Sequence, residues 1–166
     1  MVKIRFLIMA VIAAGIVVLA IFYLFPSEEM KVKKQFHLLS EWVSKDPGEN
    51  VFTTARKTQR IGSLFAEKLE LKTEIDSMSG SYSPEEISSL AARGRLMFSS
   101  LSLKFYDFDI SFPENGIAKV ILTATLKGRS TTGEYVDETH EPECILRKIE
   151  RRWLFSNVEI GEVLKK

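Results

Sequence analysis

The chain has 166 residues with 23 Lys and Arg against 22 Asp and Glu, a formal charge of +1, and its length suits about one globular domain. A 45% hydrophobic content beside 27% charge excludes a wholly disordered chain, and the single cysteine, Cys144, excludes an intrachain disulfide and any Cys-rich zinc module. The balanced charge gives no electrostatic ground for nucleic acid as a partner.

The first segment stands apart. Phe6 to Phe25 is a run of 20 residues without a charge, and at ~1.5 Å per residue it matches the ~30 Å apolar core of a bilayer. Such a segment satisfies its own backbone in lipid only as a helix. We therefore expect residues 1–5 to be a short cytoplasmic tail, 6–26 a transmembrane helix with the lipid bilayer as its partner, and 27–166 a folded domain. A cleaved signal peptide is the alternative, since Lys3 and Arg5 form a positive start and Ala13-Ala14-Gly15 resembles a cleavage site. Cleavage there would leave ten apolar residues bare. Lys31, Lys33 and Lys34 follow the span closely, so counting cations alone does not orient it. The positives set directly against the apolar run point to a signal anchor in the cell (inner) membrane, N-terminus cytoplasmic, with the domain on the exported side.

Residues 28–45 place Val32, Phe36, Leu39 and Val43 on one helical stripe, and Asp46-Pro47-Gly48 stops it. Asn50 caps a second helix carrying Val51, Phe52, Ala55, Ile61, Leu64 and Phe65. Leu69–Ile75 alternates as a short strand, and Ser77–Ser81 reads as a loop. Ser83-Pro84-Glu85-Glu86 has the residues of a capping box with Pro at the first helical position, opening a helix through Ile87, Leu90, Ala91 and Met97.

Beyond about Ser100 the apolar period becomes two. Leu101, Leu103 and Phe105 alternate in one phase and Phe108, Ile110 and Phe112 in the other, which predicts a β-bulge near Tyr106-Asp107. Asn115-Gly116 predicts a hairpin turn into Ile117–Lys127, and Gly128–Glu134 a second turn. Tyr135–Ile149 reads as one strand interrupted by Pro142, at an edge or a bulge, followed by a turn and Trp153–Ile160. Helices first and an antiparallel meander afterwards define an α+β domain with helices packed on a curved antiparallel sheet.

Three stretches resemble the nuclear transport factor 2-like superfamily, with its cystatin-like cone of helices against a curved sheet: Leu69–Ile75, the hairpin Leu101–Lys127, and the closing run Cys144–Phe155. The chain departs from the family at the last turn, where Arg151-Arg152 stands in place of a common Gly. With the expected anchor the chain reads as a membrane-anchored member, and the resemblance implies a range of roles, from ketosteroid isomerase-like enzymes to ligand-binding and non-catalytic assembly modules. It is also similar to inner-membrane assembly subunits of bacterial secretion systems.

An isomerase-like site needs a carboxylate in an apolar pocket. Asp107 and Asp109, with Tyr106 as a donor, are the candidates, although strand alternation places both carboxylates outward while the phenylalanines fill the core. Trp42, Phe52, Phe65 and Phe105 are candidates to line a ligand pocket, together with Phe36 and Trp153. His140 lies in a polar run, and with Cys144, Glu141, Glu143 and the distant His37 it makes a poor metal set, so no metal and no cofactor is expected. Cys144, between Glu143 and Ile145-Leu146, reads as a small buried hydrophobe. The expectation is a membrane-anchored binding or assembly module with a protein partner or self-association, with an anchored ligand-binding protein or isomerase-like enzyme as the alternative.

Overall fold

The computed structural model describes residues 11–17, 27–74 and 78–161. The predicted span 6–26 falls mostly outside them; within it residues 11–17 are helical and exposed. Among the described residues, no helix is long and apolar enough to cross a membrane. The chain divides into two compact units, Met1–Lys31 and Val32–Lys166, and the second carries the sheet.

Helix α1 spans Glu28–Val43 and buries Val32 and Phe36 on the predicted stripe. Helix α2, Val51–Gly62, opens on Asn50, whose side chain accepts from the Thr53 amide at 2.8 Å. Its buried face is Thr58, Ile61 and Gly62. Phe52, nine residues before Ile61, sits about half a turn away from that face at ~100° per residue and is 88% exposed, which corrects its assignment to a pocket. Helix α3, Pro84–Leu96, has the full capping box: Ser83 Oγ accepts from the Glu86 amide at 3.3 Å while the Ser83 amide donates to Glu86 Oε2 at 2.8 Å. Gly62 allows α2 and α3 to close on each other, because a Cβ there would meet the Pro84 carbonyl oxygen at 2.5 Å.

Among the described residues the sheet has seven strands. Strand β1 is Phe65–Lys72, β2 Gly80–Tyr82, β3 Phe98–Glu114, β4 Ile117–Ser130, β5 Tyr135–His140, β6 Glu143–Ile149 and β7 Arg152–Glu159. The order is β2-β1-β7-β6-β4-β3, with β5 also on β4. It is the expected α+β arrangement of helices on a curved sheet, antiparallel except where β1 lies parallel to β7. β1 starts four residues before the predicted Leu69, because α2 ends at Gly62. The predicted loop at 77–81 contributes Gly80 and Ser81 to β2, which pairs with β1. The predicted strand across Pro142 is two strands on one partner: β5 pairs with β4 from Ala124 to Arg129 and β6 from Ile117 to Ile121. Pro142 has no amide to give the ladder, yet its carbonyl still accepts from the Leu122 amide at 3.3 Å.

The phase flip in β3 is the predicted bulge. Register shifts between Tyr106 and Asp109, and Asp107 has φ 53°. Its carboxylate accepts from Thr123 Oγ1 at 3.2 Å. The β6–β7 turn places Glu150 at φ 49° and Arg151 at φ 68°, the left-handed region that favours Asn and Gly at these positions. Replacing the pair by Asn-Gly is expected to raise stability by about 1–2 kcal/mol, read as a higher midpoint in urea unfolding at unchanged slope.

Candidate functional site

Helix α1 lies across the inner face of β3, β4 and β7. Phe36 is the centre of this contact, meeting Phe105, Phe108 and Phe155 edge-on at 5.4, 5.3 and 4.9 Å between ring centroids. The inward positions of β4 and β6, among them Val120, Leu122, Cys144 and Leu146, complete the core.

Beside this contact is a hollow of about 270 Å³. Its lining comes from α1 (Phe36, Leu39), β1 (Phe65, Leu69, Leu71), α3 (Ile87), β3 (Leu103, Phe105), β4 (Ala124), Pro142, β6 (Cys144), β7 (Phe155, Val158) and Ile160. Of the residues expected there, Phe36, Phe65 and Phe105 line it; Trp42, Phe52 and Trp153 do not. Trp42 instead carries Arg60 over its ring at 5.8 Å, and Trp153 packs against Phe112 at 5.8 Å. The aliphatic lining from β1, α3 and β7 escaped sequence reasoning, because it meets only through the parallel β1–β7 closure.

The chemistry of the hollow is simple. Its one titratable side chain is Cys144, whose thiol burial pushes up to about 12, with the neighbouring Glu143 charge adding to the effect. At neutral pH that group is a thiol and neither nucleophile nor base. Native protein at pH 8 is therefore expected to leave Cys144 unmodified by iodoacetamide, and labelling should appear only as urea unfolds the chain.

The carboxylates lie elsewhere. Asp107 and Asp109 are both exposed; Asp107 bonds Thr123 and Asp109 stands opposite Ile121 in the ladder. Neither lines the hollow. Tyr106 is 43% exposed and borders a separate groove of about 240 Å³ with Lys33, His37 and Lys104. The three candidates for proton transfer thus do not converge on the apolar space, because the bulge turns Tyr106 and Asp107 away while Phe105 and Phe108 face α1. His140 meets the Gly161 carbonyl at 3.2 Å and Glu138 at 3.5 Å, also away from the hollow. Among the described residues, no group of three His, Cys, Asp or Glu side chains is arranged to hold a metal.

A broader groove of about 840 Å³ is lined by β1, the β6–β7 hairpin and Gly62, Ser63 and Pro84. Gly62, Ala66, Leu154 and Ser156 are its buried members, and Glu67, Lys68, Glu70, Arg147, Glu150 and Arg152 its charged ones.

The most connected polar cluster stands away from all three spaces. Arg95, on α3, is 1% exposed. Its Nη1 donates to the carbonyls of Trp42, Val43 and Ser44 at 2.5 to 2.8 Å, where α1 leaves its last carbonyls unpaired. Its Nη2 pairs with Glu49, which also accepts from Lys57 at 2.7 Å and Thr54 at 2.9 Å. Burial alone would raise the Glu49 pKa, but the bonds from Lys57, Thr54 and Arg95 and the Arg95 charge outweigh it and hold the carboxyl below its ordinary value. The arrangement fastens the ends of three helices and has no chemistry of its own to offer a substrate.

No protein-family model matches the chain, and no curated protein matches it either. Solved structures do. A hexachlorocyclohexane dehydrochlorinase from Novosphingobium barchaimii superposes with a TM-score of 0.66 at 13% identity, covering 82% of this chain and 86% of that one. A protein assigned as a calcium/calmodulin-dependent protein kinase II association domain, from Xanthomonas campestris, gives 0.64 at 13% identity over 84% and 91%. A protein of unknown function with a cystatin-like fold from Nostoc punctiforme gives 0.61 at 12% identity over 84% and 92%. The chain has a nuclear transport factor 2-like, cystatin-like fold. At such identities the likeness carries the fold and not the activity.

Proposed function

We propose that the chain is a single-pass membrane-anchored binding and assembly module, with residues 6–26 crossing the cell (inner) membrane from a cytoplasmic tail and the 27–166 domain held on the exported side. The observation that carries this reading is the make-up of the hollow: apolar side chains throughout and one thiol kept neutral by burial. Proton-transfer chemistry needs an acid or base within hydrogen-bond reach of the bound substrate, and the carboxylates of β3 stand outside. The uncharged run 6–25 supports the anchor by its length. Self-association through the sheet finds support in half-buried Ile121 and Ile145 on strands β4 and β6, beside the Lys119–Glu143 ion pair.

A second reading is favoured by the hollow itself, which exceeds the ~150 Å³ of apolar space known to hold a benzene: the domain binds a small neutral apolar group. An enzymatic role like that of the dehydrochlorinase neighbours finds no support in the lining residues.

Full-length protein carrying a photo-crosslinker at Ile145 in native membranes tests the module reading. The expected result is one discrete crosslinked product, to a second copy or to a defined partner, in a membrane fraction that resists carbonate washing. Release by carbonate would overturn the anchor, and a chain that stays monomeric and uncrosslinked would overturn the assembly role. A reporter fused at Lys166 fixes the sidedness.

A further inference from the structure

We infer that the β6–β7 hairpin is a lipid-contact element: the turn Ile149–Arg152 and its flanking cations meet the anionic phosphate surface of the membrane in which residues 6–26 sit. The inference rests on the anchor reading above and adds a second, electrostatic contact to it.

The chain enters the domain through α1. Helix α1 runs antiparallel to β3. Lys45 bridges Leu101, Ser40 Oγ donates to the Leu103 carbonyl at 2.5 Å, Phe36 packs on Phe105 and Phe108, and Lys33 lies over the Phe108 ring at 5.9 Å. Walking back along α1 toward Val32 therefore means walking forward along β3 toward its turn at Asn115-Gly116. The Gly116 carbonyl accepts from the Lys148 amide at 2.8 Å, and Arg147 stands opposite Ile117. The β3–β4 turn and the β6–β7 turn thus share the end of the domain at which Val32 enters. The β4–β5 turn, whose Thr131 amide donates to the Met97 carbonyl at 2.9 Å, lies at the opposite end.

Only residues 27–31 separate Pro26 from Val32, and residues 28–31 are already the first turn of α1.

Charge and polarity at this end suit a lipid surface. Arg147, Lys148, Arg151 and Arg152 are all exposed, four cations against Glu150, the nearby Glu114 and Glu67 across the groove. Phe112 and Ile149 are 44% and 42% exposed at the same end, apolar side chains of the kind that enter a headgroup layer. Lys148 lies over the Trp153 ring at 5.8 Å, and Arg152 reaches the Ser63 carbonyl at 3.4 Å, so the cations are spread around the turn. The turn also keeps Glu150 and Arg151 in left-handed backbone, where Asn-Gly would be easier. Each cation brought to an anionic surface shifts the contact equilibrium about fivefold.

The test uses the full chain in lipid nanodiscs of phosphatidylcholine, with and without phosphatidylglycerol. An environment-sensitive fluorophore is placed at Ile149→Cys or, at the far end, at Thr132→Cys, with a quencher on the lipid headgroups. The expected result is strong quenching at 149 only when phosphatidylglycerol is present, none at 132, and a loss of about 25-fold or more in Arg151→Glu/Arg152→Glu. Arg151→Gly/Arg152→Gln, which preserves the turn, should lose about 25-fold, and an unreactive Cys144 verifies the fold of each variant. Quenching at 149 that ignores lipid charge or both pairs of substitutions overturns the contact while the anchor stands. Proximity between fluorophores of two copies without headgroup quenching overturns it in favour of a copy–copy contact. A chain that does not enter the nanodiscs overturns the anchor reading and this inference with it.

Discussion

Replacing Arg95 by Met is expected to lower the unfolding free energy by about 3–5 kcal/mol, the cost of taking one partner out of a buried ion pair. The guanidinium serves three carbonyls at the end of α1 and the Glu49 carboxylate together. Met fills much of the volume but donates nothing, so those carbonyls lose a donor in a place water does not reach, and Glu49 is left with Lys57 and Thr54 alone. Lys cannot present the planar fork and should recover only part of the loss. The double variant Arg95→Met/Glu49→Gln should lose less than the sum of the singles, since both changes break the same ion pair. The same cluster gives an acid limb. Because the Glu49 carboxyl is held below its ordinary 4.5 in the folded chain, its contribution is fully present above that value and is lost as pH falls through the lower, folded one. Urea midpoints below pH 4.5 should therefore decline more steeply in the parent chain than in Glu49→Gln.

Phe36→Ala is expected to cost about 3–5 kcal/mol as well, for a different reason. Phe36 is 1% exposed and holds three rings edge-on, each contact adding about 0.5–1.5 kcal/mol beyond area. It also forms part of the wall of the hollow, so truncation enlarges that space toward the core instead of opening a separate void. A neutral guest such as benzene should then restore stability, by ~2.7 kcal/mol at a hundredfold excess over its dissociation constant. Thermal unfolding of the parent and the variant with and without benzene reads both effects. A variant that is destabilised but indifferent to benzene would mean that the rings collapse into the gap.

Much of this fold is written locally. The capping box at Ser83–Glu86, the β3 phase flip and the Asn-Gly turn each rest on neighbours a few residues apart, and each appears where its chemistry requires. What is not legible is what distance decides. The parallel β1–β7 pair joins Phe65 to Phe155, and with it come five of the fourteen residues that line the hollow. The Arg95–Glu49 pair is 46 residues apart in sequence. One signal was present: Ile87, Ala91 and Arg95 fall at steps of four, which places an arginine on the apolar stripe of α3. Phe52 misled because an apolar residue near a cap looks like core until the buried face of α2 is known to be Thr58, Ile61 and Gly62. Asp107 and Asp109 are placed outside by the bulge that the phase flip predicted.

The central claim is that the inner space of the domain accepts uncharged apolar matter and offers no proton chemistry. The direct measurement is an NMR titration of the full chain with indole, following methyl signals of Leu69, Leu103 and Val158 together with the side-chain carboxyl carbons of Asp107 and Asp109. Saturable shifts at the three methyls with still carboxyl signals are the result this account predicts. Carboxyl signals of Asp107 or Asp109 that move with the guest, or methyls that do not respond at all, would contradict it.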